Sequence, residues 1–263
     1  MLPSPHPEWN ELLEKRDALH AQIAAVIAEI HALEDSESVV LGRYSEAFGD
    51  SLLRLQTLEI DVARLKREIE LVQAAVNFGR EVDYDEIQNI LEREFFEWRA
   101  KLEKEAARII NQRKVLDHLL DPAKARALRD SFRSLVRRLH PDLHPSQSPA
   151  AAELWHRVTA AYENQDIDEL SALEILTRED STLNPSPDSM ETLRSTVEKL
   201  RLHLDRLLLK LAARRKEWPF DQIPLLDEPA ATDARRMEIH ERITAAFALI
   251  EERRQWLNQL LGH

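Results

Sequence analysis

The chain has 263 residues, of which 32% are charged and 43% are apolar, and its formal net charge is −12. This acidic balance argues against general nucleic-acid binding, because phosphate contacts need a surplus of Lys and Arg. Four glycines are too few for the turns of a β-rich fold, and the lack of cysteine excludes disulfides, thiolate metal sites and cysteine nucleophiles.

The beginning of the chain carries no targeting pattern. Residues 1–9 contain prolines and no apolar run, so we predict no secretory signal. No segment approaches the roughly 20 apolar residues that a membrane helix needs. These features predict a soluble, cytoplasmic protein without membrane insertion.

Residues 1–121 are predicted to form an N-terminal coiled-coil hairpin and a long third helix. Apolar residues follow heptad spacing through 9–33 and again through 55–76. The stretch 35–50 between them holds Asp, Ser, Gly42 and Gly49, which favours a turn and an antiparallel hairpin.

The third helix is predicted to follow a break at Gly79 and to run towards Leu120. It ends at Asp121-Pro122, because a proline disfavours helix at the residue before it. This helix carries the richest aromatic cluster of the chain, for which we expect core packing: Phe95, Phe96 and Trp98.

Residues 188–263 are predicted to form a second, C-terminal helical hairpin. A Pro-containing loop at 182–189 precedes a heptad seam through 193–211. Asp233 or Thr232 is a candidate N-cap for the last helix.

The segment 122–180 between the hairpins has a different pattern. A helix is predicted from Pro122 to Leu139, with Asp121 as its N-cap. One face of it is basic, which is unusual in so acidic a chain: Lys124, Arg126, Arg129, Arg133, Arg137 and Arg138.

Two prolines then oppose helix through the loop that begins at His140-Pro141-Asp142. A second helix is predicted from Ala150 to Gln165, with Trp155, Val158 and Tyr162 on the face towards the first helix. The pair should therefore display His, Pro and Asp at the tip of the connecting loop.

This segment resembles the J domain of DnaJ-type co-chaperones. The matching stretches are Ser131-Phe132-Arg133-Ser134-Leu135, Leu139-His140-Pro141-Asp142, and Trp155 through Tyr162. The resemblance covers about residues 115–178. Leu143 stands where the family usually has Lys, and Val115 to Leu120 is the nearest candidate for the family's first helix, without its tyrosine and glycine.

The composition and the apolar spacing predict an all-α fold of helical hairpins and coiled coil with the J-domain-like segment inserted between them. The resemblance implies a protein that binds a DnaK-class chaperone and stimulates its ATPase. It implies these partner-binding residues: Arg129, Arg133, Arg137, Arg138, His140, Pro141 and Asp142. It implies this J-like core: Phe132, Leu135, Leu139, Trp155, Val158 and Tyr162. The protein itself would be no enzyme and would need no cofactor.

Other interpretations remain open at this point. The chain could be a non-catalytic coiled-coil scaffold whose J-like segment has no chaperone role, and its arginines could pair with its own acidic helices. A metal site at His140, Asp142 and His144 is disfavoured by the prolines of the loop. The coiled coils could contact clients or scaffold proteins, or a second copy of the chain.

Overall fold

The computed structural model describes residues 7–145, 147–178 and 189–261, and every regular element within these ranges is helical. The predicted all-α fold is confirmed. The α-helices are α1 (Pro7–Asp35), α2 (Glu37–Tyr44), α3 (Asp50–Asn77), α4 (Tyr84–Lys114), α5 (Pro122–Leu139), α6 (Pro149–Glu163), α7 (Ile167–Arg178), α8 (Met190–Arg214), α9 (Ile223–Asp227) and α10 (Pro229–Leu260). None of these helices is long and apolar enough to cross a membrane.

The chain divides into two compact units that do not follow the predicted domains. The first unit comprises Met1–Glu37 and Leu119–Asp221, and the second comprises Ser38–His118 and Gln222–His263. Segments that are far apart in sequence therefore fold together. The predicted domain boundaries at 180 and 188, and the predicted loop apart from Ser189, lie outside the described residues.

In the first unit, α1 pairs with α8 and not with α3 as predicted. Two ion pairs join α1 to α8, Glu8–Arg194 and Glu29–Arg215, and both span 186 residues, so the helices run parallel. Helices α5, α6 and α7 pack on one another, and α5 also packs on α1. The J-like segment thus shares one apolar core with Ile23 of α1 and Leu200 of α8.

In the second unit, α3 pairs with α10, so the predicted C-terminal hairpin of α8 and α10 is replaced as well. Arg242 bonds Glu59 and Arg253 bonds the Val62 carbonyl, which indicates a parallel pair. The predicted break between α3 and α4 is confirmed at Gly79, whose φ is 62°.

The predicted turn at 35–50 does not form, because helix continues through almost all of it. Only Ser36 separates α1 from α2, and a π-helical turn, Ser45–Gly49, leads directly into α3. Gly42 and Gly49 instead allow neighbouring residues to pack closely against the backbone. A Cβ on Gly42 would lie 2.8 Å from the Gln112 carbonyl oxygen, and one on Gly49 would lie 2.8 Å from Ile109 Cγ2.

Two further expectations are corrected by the fold. Phe96 is 71% exposed and Trp98 is 53% exposed, so only Phe95 of the aromatic cluster packs against the core. Helix α10 begins at Pro229, before both predicted caps, and the Thr232 hydroxyl donates to the Leu225 carbonyl oxygen.

Candidate partner-binding site

Helix α5 has the boundaries and the cap that its sequence predicts. The Asp121 carboxylate accepts hydrogen bonds from the backbone N–H of Ala123 at 2.9 Å and of Lys124 at 3.3 Å. At the other end, His140 leaves the helix with φ −66° and ψ 130°. This extended conformation is what a following proline favours, so Pro141 determines where the helix stops.

All six predicted core residues of the J-like segment are buried: Phe132, Leu135, Leu139, Trp155, Val158 and Tyr162. The Phe132 ring stacks on Tyr162 with centroids 4.0 Å apart and lies 6.0 Å from the Trp155 ring. Burial, followed by the nearby Asp35 carboxylate, raises the pKa of Tyr162 to about 12. The Tyr162 phenol is therefore neutral at physiological pH.

Two histidines of the loop after α5 stabilise its conformation. The backbone N–H of Asp142 donates to His140 Nδ1 at 3.1 Å, and the His140 ring meets the Trp155 ring edge-on at 4.8 Å. His144 Nε2–H donates to the Arg137 carbonyl oxygen at 2.9 Å. Leu143 is buried in the core, so contacts of His140, Leu143 and His144 together hold the first half of the loop.

The tip of this loop remains accessible. Pro141 and Asp142 are exposed, whereas His140 is half-buried against Trp155. The His203 ring of α8 reaches the tip: its Nε2 lies 3.3 Å from Asp142 Oδ2, a close polar contact that lacks hydrogen-bond geometry. The Asp142 side chain is still 48% exposed, so it remains accessible to a partner.

The four predicted docking arginines do not share one environment. Arg129, Arg133 and Arg137 are exposed and form no ion pair with any described residue, and we call these three the α5 ridge. Arg138 lies on the other side of α5 and donates to the Glu174 carbonyl oxygen at 2.9 Å and to Thr177 Oγ1 at 3.2 Å. Arg138 therefore joins α5 to α7.

Residues outside the predicted set also surround the loop. The His20 ring of α1 lies edge-on to His144 at 5.6 Å, and His203 of α8 meets Asp142. In the sequence both histidines stand singly on helical segments, without a motif. Only the packing of α1 and α8 beside α5 brings them to the site.

Burial lowers the pKa values of three histidines at this site. The pKa of His20 falls to about 4, mainly through burial and then through the nearby His144 and Arg16. The pKa of His140 also falls to about 4, because burial outweighs the opposing effect of Asp142. Burial lowers the pKa of His144 against the opposing hydrogen bond to the Arg137 carbonyl.

These lowered pKa values predict that acid destabilises the first unit. An unfolded histidine binds its proton near pH 6.5, whereas folded His20 and His140, whose pKa values are about 4, resist protonation until that pH. The stability that these neutral histidines contribute is therefore fully present above about pH 6.5, and it is lost as the pH falls from there towards 4. We expect a loss of about 1–3 kcal/mol between pH 7.5 and 5.5, allowing for solvent screening.

Urea unfolding of the first unit at several pH values, followed by hydrogen exchange in α5, measures this effect. The variant His20→Gln should flatten the pH dependence, whereas His156→Gln, at an exposed position of α6, should leave it unchanged. If the free energy of unfolding depended on pH equally in both variants, the assignment of the pH dependence to His20 would be contradicted.

No group of three or more His, Asp or Glu side chains in the described part of the chain is arranged to hold a metal ion. The chain matches no family model, no curated protein and no solved structure. Its own geometry is therefore the basis for a functional proposal.

Proposed function

We propose that this chain binds a DnaK-class chaperone through the α5 ridge and the His140-Pro141-Asp142 tip, and that it stimulates the ATPase of that partner. The class of partner comes from the resemblance of residues 115–178 to the J domain, and one structural observation supports the docking surface. In a chain of net charge −12, three exposed arginines without an ion-pair partner in the described residues lead along α5 to an exposed Pro-Asp tip.

The arrangement suits docking on an acidic surface. Unpaired surface cations attract an acidic partner over several ångströms, and this attraction weakens as salt screens it. The tip is held by Leu143 in the core and by the His144–Arg137 hydrogen bond, so little loop entropy is lost on binding. The chain would perform no chemistry itself. It would stimulate its partner by binding one conformational state of it more tightly than another.

A second candidate function is a helical scaffold without chaperone activity. Two contacts favour it: Arg138 is occupied by α7, and His203 of α8 already touches Asp142. Both contacts are of the kind expected in a helical scaffold, because they join helices and leave fewer groups free for a partner.

Single-turnover ATP hydrolysis by a DnaK-class chaperone separates the two candidates. We expect the intact chain to accelerate hydrolysis several-fold in low salt with a client peptide present, and we expect His140→Gln to abolish the acceleration. Arg133→Glu should weaken it by raising the concentration needed for half-maximal effect.

The control is Arg99→Glu, which makes the same charge change at an exposed position of α4 in the second unit. It should behave like the intact chain. No acceleration by the intact chain, or equal acceleration by His140→Gln, would leave the scaffold as the better account.

A further inference from the structure

One side of α8 carries further positive charges next to the loop that α5 leads to. His203 marks the point where α8 meets the tip, because it contacts Asp142. Residues four before, three after and seven after a helical position lie on the same side of the helix. This spacing places Lys199, Arg206 and Lys210 on the side of α8 that carries His203. We call these three residues the α8 ridge.

The α8 ridge is accessible and carries uncompensated charge. Each of its three side chains is exposed, and none forms an ion pair with a described residue. The opposite flank of α8 has mixed charge, since Glu198 and Asp205 lie there near Arg201. Arg201 thus has an acidic residue one helical turn away in each direction, whereas Lys199, Arg206 and Lys210 have none at those spacings in α8.

The two ridges are joined by the loop tip within the first unit. The α5 ridge ends at Arg137, three residues before His140, and α8 reaches the same loop at Asp142. Cations of α5 and α8 therefore lie within about one helical turn of residues that belong to this loop or contact it. Such an arrangement concentrates positive potential and favours an acidic ligand.

We propose that the α8 ridge is a second arm of the docking surface and that it binds an acidic segment of the same DnaK-class partner. This inference rests on the proposed function and adds a contact site outside the J-like segment. Eleven residues separate Lys199 from Lys210, which is about 16 Å of helix. An extended acidic segment of about five residues spans that length.

Charge reversal on the two flanks of α8 tests the proposal. We expect Arg206→Glu and Lys199→Glu each to weaken chaperone binding several-fold, and the double variant to weaken it by about tenfold or more. Arg201→Glu is the matched control, because it makes the same charge change at an exposed position of the other flank. Binding of the chaperone is measured by titration in low salt, with helical content checked for each variant.

A second probe makes the outcomes distinguishable. A fluorescent peptide of ten glutamates should bind the intact chain in low salt, and Arg206→Glu should weaken this binding more than Arg201→Glu does. If the chaperone binds and is stimulated but the two variants behave alike, the α8 ridge is overturned and the proposed function stands. If the chaperone does not respond but the peptide discriminates the variants, the acidic-ligand site stands and its assignment to a chaperone is overturned.

Equal peptide binding by Arg206→Glu and Arg201→Glu, together with equal chaperone binding, would overturn the inference completely. High salt should remove the difference between the flanks, since screening acts on exposed charges. A difference that persists at about 1 M salt would also contradict an electrostatic site.

Discussion

Replacing Phe132 with alanine is expected to lower the free energy of unfolding of the first unit by about 3–5 kcal/mol. The Phe132 side chain is 1% exposed and contacts the rings of Tyr162 and Trp155. Truncation removes these contacts and leaves a cavity in the core that α5 and α6 share with α1 and α8. Because Trp155 also supports the His140 ring, the tip should lose order together with the core.

Hydrogen exchange of peptides from α5 and from residues 140–145 measures this loss within the first unit. A local measurement is needed, since a chain of two units need not unfold in one transition. The control Phe96→Ala removes a phenyl ring that is 71% exposed and should cost less than about 1 kcal/mol. Equal protection of α5 in both variants would contradict the ring cluster.

Replacing Gly42 with valine is expected to destabilise the second unit by about 2–3 kcal/mol. A Cβ at this position would lie 2.8 Å from the Gln112 carbonyl oxygen and 3.1 Å from Leu116 Cγ and Cδ2. A backbone oxygen inside a helix cannot move aside alone, so α2 and α4 would have to separate. Valine adds two methyl groups to this clash.

The second unit is followed by hydrogen exchange in α4 and by urea unfolding. Ala74→Val is the matched control, since it introduces valine at an exposed position in α3 and should cost well under 1 kcal/mol. If Gly42→Val were as stable as Ala74→Val, the close approach of α2 and α4 would be refuted.

Gly79 shows why these glycines differ. It has a φ of 62° and nothing within 4 Å of a Cβ, so its role is conformational. Gly42 has a close neighbour instead and ordinary helical geometry. The sequence does not distinguish these two roles of glycine. A helix break is the usual expectation at both positions, and the structure shows a break at Gly79 and close packing at Gly42.

The pairing of the long helices differs most from the prediction. Heptad stripes on α1, α3 and α8 show which side of each helix is apolar, and the structure buries residues of each stripe. A stripe does not identify its partner, because any other apolar stripe of similar length buries it equally well. Two parallel pairs form, α1 with α8 and α3 with α10, where local antiparallel hairpins were expected.

Features of the candidate site also fall into those that local sequence predicts and those that depend on tertiary contacts. The Asp121 cap, the end of α5 before Pro141 and the six buried core residues all follow from local rules, and the structure shows each of them. Arg138 belongs to the basic face in the sequence, yet the position of α7 makes it a structural contact. His203 carries no local pattern at all.

The amino-acid order alone determined the long helices, most of their ends, their buried sides and the position of the His-Pro-Asp tip. These features depend on neighbours within a few residues, through capping, proline geometry and helical periodicity. Only the tertiary structure decided that α1 and α8 flank the tip, that Arg138 faces α7 and that Gly42 packs against α4. Those features depend on contacts between residues far apart in the chain, and apolar periodicity is too unspecific to encode which distant helix supplies them.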